Sequence, residues 1–150
     1  LDADSLNSFQ RKTKKLLKYL DKNKLITPHQ EEFHRLFPSI KKSLKNIEKV
    51  KKFLKFSKSN ILLKGSTTVI GSSKNIIINN HTSNELAVIG SGDVLAGIIT
   101  SLIGDNKMSP IEAASAATWI HGDTAKNFGR GLISEDIVKG LPGALKKLGK

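Results

Sequence analysis

The stretch VIGSGDVLAG, Val88 to Gly97, sets two glycines and a serine immediately ahead of a carboxylate, and an apolar run begins behind it. An amide-rich turn entering a helix favours anions, because the first N–H groups lack intrahelical acceptors and the helix dipole is positive there. Asp93 can then be a simple cap, worth roughly a few tenths of a kcal/mol. Alternatively, Gly90, Ser91 and Gly92 offer amides to a transferring phosphoryl group while Asp93 takes a proton from the attacking hydroxyl. The motif is neither G-x-G-x-x-G nor a Walker loop, and spacing alone leaves both readings open.

Other residues could share that chemistry. Lys64-Gly-Ser-Thr-Thr68 follows an apolar run, and its lysine, hydroxyls and glycine suit a nucleotide phosphate or ribose, although a plain turn between strands has the same composition. His29 in Thr27-Pro-His can be a base, a substrate contact or a ring within a helix cap. His34, His81 and His121 lack the spacing of a metal site, so no metal ligands are assigned and each reads as surface or packing. Asp2 and Asp4 would point oppositely in an extended chain, which weakens a carboxylate-pair reading. Trp119 falls on a helical stripe and reads as core.

The elements that must position these residues follow from periodicity and from start and stop signals. Residues 5–20 carry a helical pattern, Leu25–Thr27 a short strand, and Thr27-Pro-His-Gln30 a capping box that opens a helix from Pro28 to about Phe37. A further helix is predicted over Ser39–Ser57, a buried parallel strand over Asn60–Lys64, and a hairpin from Val69–Ile70 and Ile76–Ile78 around Gly71–Asn75. Behind Asp93, apolar residues at Val94, Leu95, Ile98, Ile99, Leu102 and Ile103 mark an amphipathic helix. Ser109-Pro-Ile-Glu112 opens an alanine-rich helix that runs to about Phe128, and Ser134-Glu-Asp136 caps a short last helix ending before Leu141-Pro142. The order predicts an α/β domain whose strands feed helices. In such a sheet ligands bind at the carboxyl ends of strands, where Asp2–Asn7, Thr27–His29, Lys64–Thr68 and Gly90–Asp93 gather.

The 150 residues suffice for one domain, and the net charge of +12 raises nucleic acid or an anionic surface as partners. The lysines, however, sit mostly in RKTKKLLK, KKSLKNIEKVKKFLK and LKKLGK, interleaved with apolar residues at helical spacing, which places them on solvated helix faces. Aromatic residues are 5%, with one Tyr and one Trp, so stacking platforms for single strands are scarce. The absence of cysteine excludes disulfides, thiolate metal sites and a Cys nucleophile. No apolar run approaches the roughly 18–20 residues that span a bilayer, and the expected location is the cytoplasm. The chain opens on LDAD without a methionine and reads there as the end of a buried strand, which predicts a fragment or a processed chain.

Taken in order, LDADSLN, LITPHQEEFHRLF, ILLKGSTTVI, ELAVIGSGDVLAGIITSLI, SPIEAASAATWIHG and ISEDIVKGLPGAL resemble the second half of the ADP/ATP-dependent NAD(P)H-hydrate dehydratases. The resemblance implies a ribokinase-like three-layer α/β/α fold with a mostly parallel sheet, of which residues 1–150 form the C-terminal portion of a single domain. It also implies nicotinamide-nucleotide repair, the ADP- or ATP-dependent dehydration of the S epimer of NADHX or NADPHX, with Mg2+. On the matching positions, Asp93 is the catalytic base and a hydrate contact, and Gly90, Ser91 and Gly92 form the anion hole. Lys64, Gly65, Ser66, Thr67 and Thr68 form the nucleotide-binding turn, Gly92 also touches the nucleotide, and His29 contacts the hydrate. Asp4 and Asn7 belong to a loop near the site. The implied partners are the first half of the domain, on the same or a second chain, a further copy of the protein, and an epimerase domain upstream. Gln30-Glu31-Glu32 departs from the Pro-Gly-Glu usual in the family. A sugar or vitamin-alcohol kinase of the same fold is the alternative, and a basic nucleic-acid-binding module a distant one.

Overall fold

The computed structural model describes residues 1–149, which form two compact units. One comprises Leu1–Ile78 with Ser109–Ile111; the other comprises Asn79–Met108 and the residues from Glu112 onward.

The first unit carries the sheet. Strands β1 (Leu25–Ile26), β2 (Asn60–Leu63), β3 (Thr68–Gly71) and β4 (Ile76–Asn79) lie in that order. β1 and β2 run parallel, with Leu25 opposite Asn60, whereas β2 and β3 are antiparallel, with Leu62 opposite Ile70. The sheet of this portion is therefore mixed: β1 and β2 supply the parallel pairing expected, and the chain turns back from β2 into β3. The reason lies in Lys64–Thr67, too short for a crossover of a dozen or more residues, so the chain can only turn back. β2 is buried along its whole length, as its unbroken apolar run requires. Leu1 makes both hydrogen bonds of a parallel bridge to β1, its amine to the Leu25 carbonyl (2.8 Å) and its carbonyl from the Thr27 N–H (3.1 Å). Its pairing is strand-like, yet its side chain is exposed rather than buried.

Helices α1 (Ala3–Asn7), α2 (Thr13–Tyr19), α3 (Gln30–Leu36) and α4 (Asn46–Leu54) complete this unit. The single helix expected over residues 5–20 is two, because Arg11 adopts φ 59°, a left-handed conformation no helix continues through. α4 begins later than the periodicity suggested: the Glu48 carboxylate accepts from the Lys45 N–H (3.1 Å) and fixes the start there. The preceding residues still send Ile40 into the core as a turn. Phe33, Phe37 and Phe53 are fully buried, with successive ring centroids 5.2 and 5.0 Å apart, and pack with Ile26, Ile61 and Leu63.

The second unit is helical: a 3₁₀ turn at Asn84–Leu86, then α5 (Ser91–Gly104), α6 (Pro110–Phe128) and α7 (Ser134–Leu148). α6 starts at the proline and ends at Phe128 as read from the sequence, with Gly129 at φ 83° beyond its end. α7 corrects the sequence reading by running through Pro142. Pro142 and Val138 both face solvent, so water can satisfy the Val138 carbonyl that the proline leaves unpaired. Ile137 and Ala144 bury the opposite face. Among the described residues no helix is long and apolar enough to cross a membrane.

Candidate active site

The candidate residues fall into one group in each unit. In the second, Gly90 is the N-cap of α5 at φ 82°, a conformation that favours glycine, and a β-carbon there would lie 3.0 Å from Ser134 Oγ. Ser91, Gly92 and Asp93 form the first turn. The Ser91 N–H is engaged by the Val88 carbonyl (3.3 Å), and the ladder resumes with Val94 N–H to Gly90 O (3.1 Å). The amides of Gly90, Gly92 and Asp93 make no backbone hydrogen bond among the described residues, whereas that of Ser91 is taken. The Asp93 side chain is exposed and pairs with no side chain among the described residues. Ser91 is 5% exposed, and its hydroxyl lies 3.3 Å from Nε2 of His121, itself 5% exposed on α6. An exposed carboxylate beside two unpaired helix-start amides can accept a proton while an anion is held next to it.

In the first unit the Lys64–Thr68 turn joins β2 to β3. Lys64 Nζ is paired with Asp2 Oδ1 at 2.9 Å, both partly buried, so its charge is compensated at the start of α1. Thr68 is buried and its hydroxyl bonds the Gly65 carbonyl across the turn (3.2 Å). That leaves Ser66 and Thr67, both exposed, which line a cleft of about 320 Å³ together with Lys45, Asn46, Ile47, Val69 and Ile78. A cleft of this size lies in the range of small-molecule sites. Among the described residues no cluster of three or more His, Asp or Glu could hold a metal ion.

His29 is the N-cap of α3, two residues later than the box read from the sequence. Its Nδ1 accepts from Glu31 N–H (3.1 Å) and Glu32 N–H (3.4 Å), while the Glu32 carboxylate accepts from His29 N–H (2.8 Å). Thr27 could not serve as the cap because β1 holds it: its N–H and hydroxyl both bond the Leu1 carbonyl. With Nδ1 occupied as an acceptor, the neutral ring carries its proton on Nε2, which lies 3.5 Å from Glu32 Oε1 on a half-exposed ring. Asp4 is exposed on α1, and Asn7 Oδ1 accepts from Gln10 Nε2 (3.1 Å).

Sequence reasoning assigned no specific site role to Asp2, Gln30, Lys49 or His121. Two of them had a signal. Lys49 falls on the buried stripe with Val50 and Phe53, and His121 on the one with Ala117, Thr118 and Thr124. Lys49 is buried where the sequence suggested a solvated lysine, and His121 is buried in keeping with the packing reading.

The α/β architecture is ribokinase-like. A ribokinase-like superfamily protein of Enterococcus faecalis matches 97% of this chain and 51% of its own at TM-score 0.80 and 24% identity, a likeness of fold. The family described as NAD(P)H-hydrate dehydratase matches residues 1–139, and the chain belongs to that family. An ADP-dependent (S)-NAD(P)H-hydrate dehydratase of Nitrosopumilus maritimus is 32% identical over 136 residues, 87% of this chain and 47% of the relative. The ADP/ATP-dependent NAD(P)H-hydrate dehydratase of Bacillus subtilis, co-crystallized with ATP/Mg2+ and soaked with CoA, matches at TM-score 0.75 and 26% identity, covering 82% and 48% of the two chains. The chain thus spans about half the length of these relatives.

Proposed function

We propose that this chain is the C-terminal portion of one ribokinase-like domain that dehydrates the S epimer of NADHX or NADPHX, coupled to hydrolysis of ADP or ATP. The observation that carries the reading is the start of α5, where the exposed Asp93 carboxylate stands beside the open amides of Gly92 and Asp93. In this reading Asp93 accepts the proton of the ring hydroxyl as that oxygen takes the terminal phosphoryl group of the nucleotide. The amides hold the transferring phosphoryl oxygens, and Gly90 and Ser91 shape the turn. Expulsion of inorganic phosphate, with loss of a proton from the neighbouring ring carbon, then restores the ring double bond, so the elements of water leave in two steps.

Ser66 and Thr67 bind the nucleotide from the cleft, Gly65 and Thr68 set the turn, and Lys64 acts from its Asp2 ion pair. His29 donates from Nε2 to the hydrate, with Asp4 and Asn7 in the neighbouring loop. Mg2+ would be held mainly by the nucleotide's phosphate oxygens, with at most one or two protein carboxylates, and would neutralise charge on the transferring phosphoryl group. A reaction confined to the S epimer needs an epimerase as partner, joined upstream or separate. Location in the cytoplasm and assembly with a further copy belong to the same reading.

The test is an NADHX dehydration assay on the complete domain, this chain joined by the first half, with ADP and ATP in parallel, followed by the near-ultraviolet absorbance of the restored nicotinamide. Restoration with either nucleotide is expected. A stable phosphorylated product from a sugar or vitamin alcohol, with NADHX untouched, would overturn the reading in favour of a kinase.

A further inference from the structure

The main chain of Lys64 is gripped on both sides by the segment that opens α3. Its N–H donates to the Pro28 carbonyl (2.9 Å), and its carbonyl accepts from Gln30 Nε2 (3.1 Å). The other end of the Gln30 carboxamide accepts from Lys49 Nζ at 2.8 Å. Lys49 is only 5% exposed and pairs with no carboxylate among the described residues. Burial, with Lys42 nearby, holds its ammonium below the ordinary value of 10.5. A neutral amide oxygen is therefore the partner of a buried cation. Polarised by that cation, the amide N–H facing Lys64 is a stronger donor than an isolated carboxamide.

The far side of the turn is held in the same way. Asn46 Nδ2 donates to the Thr67 carbonyl at 2.8 Å. Gly65 lies between the two carboxamides, where a β-carbon would sit 3.0 Å from Asn46 Nδ2 and 3.3 Å from Gln30 Nε2. With both flanking carbonyls tied, Ser66 and Thr67 are presented to the cleft they line.

We propose that Gln30 is a positioning residue for nucleotide binding: it transmits the charge of buried Lys49 to the Lys64 carbonyl and fixes the Lys64–Thr68 turn in its cleft-facing form. The inference rests on reading that turn as the nucleotide site. Gln30 follows His29 directly and belongs to the helix His29 caps, so one side chain ties the start of α3 to the turn. It is also the first residue of the Gln30-Glu31-Glu32 departure, which here has a bond-by-bond account.

Titration of ADP and ATP into the complete domain that contains this chain, by calorimetry and through the KM for nucleotide, tests this with two variants. Gln30→Ala removes both bonds and is expected to weaken nucleotide binding about tenfold, as loss of a charge-assisted hydrogen bond predicts. Gln30→Glu keeps an acceptor for Lys49, now ionic, but cannot donate to the Lys64 carbonyl. It should hold or raise the thermal midpoint while weakening nucleotide binding to a similar extent. A merely structural role would not separate those readouts. If the parent binds nucleotide and Gln30→Glu, folded, binds it within twofold, the inference is overturned and the functional reading survives. If the parent binds neither ADP nor ATP, both are overturned.

Discussion

A β-carbon on Gly122 would lie 1.9 Å from the carbonyl oxygen of His81. Only glycine lets α6 approach the loop after β4 so closely, and the contact sets the His81 ring against Trp119, stacked at 5.0 Å and 11°. The obstructing atom is backbone and cannot swing aside, so Gly122→Ala should destabilise the chain by roughly 1–3 kcal/mol through overpacking, less whatever alanine regains in helix propensity. Urea unfolding measures the loss. Trp119 is the sole tryptophan, so a change in its native-state emission should accompany it.

Asp93→Asn preserves the open amides at the start of α5 and removes the proton acceptor. Nucleotide affinity should stay within a few-fold while turnover falls by ~10² to 10⁴. Steady-state dehydration beside nucleotide titration separates the two, and turnover surviving within about tenfold would exclude general-base work at this residue.

The buried pair of Ser91 and His121 predicts an asymmetry. Ser91→Ala takes this partner from the buried Nε2 of His121 but leaves little space behind, and should cost about 1 kcal/mol or somewhat more. His121→Ala strands that hydroxyl in a buried site and should cost more, roughly 1–3 kcal/mol for the unsatisfied group, with a cavity added. Denaturant midpoints of the two variants decide the order.

Asp123 sets an acid limit on stability. Its carboxylate accepts from Lys147 Nζ and Asn127 Nδ2, each at 2.8 Å, with His81 Nε2 at 3.4 Å from the other oxygen. The Lys147 hydrogen bond, foremost, holds the carboxyl below its ordinary value of 3.8. A depressed folded-state value means the stabilisation is complete above about that pH and is lost as pH falls through the lower, folded value. Asp123→Asn should therefore melt lower at neutral pH and show a shallower decline below pH 3.8, in melts taken down the acid limb.

Local chemistry and pairing across the chain account for different parts of this protein. β2, α6 and the turn into α5 were legible because an unbroken apolar run, a proline at the first helical position and a glycine-rich cap are signals carried by neighbouring residues. Packing overrode such signals elsewhere: β1 claimed Thr27 and moved the α3 cap to His29, and the solvent-facing side of α7 accommodated Pro142. The site depended on the fold still more. Lys64 with Asp2, Gln30 with Lys64 and Ser91 with His121 stand 62, 34 and 30 residues apart. No periodicity encodes such pairs, because strand order and helix packing alone bring their side chains together. The sequence by itself marked which residues are candidates for the chemistry; the tertiary structure decided that the charge of Lys64 is compensated by Asp2 and that a buried lysine and a carboxamide hold the turn beside it.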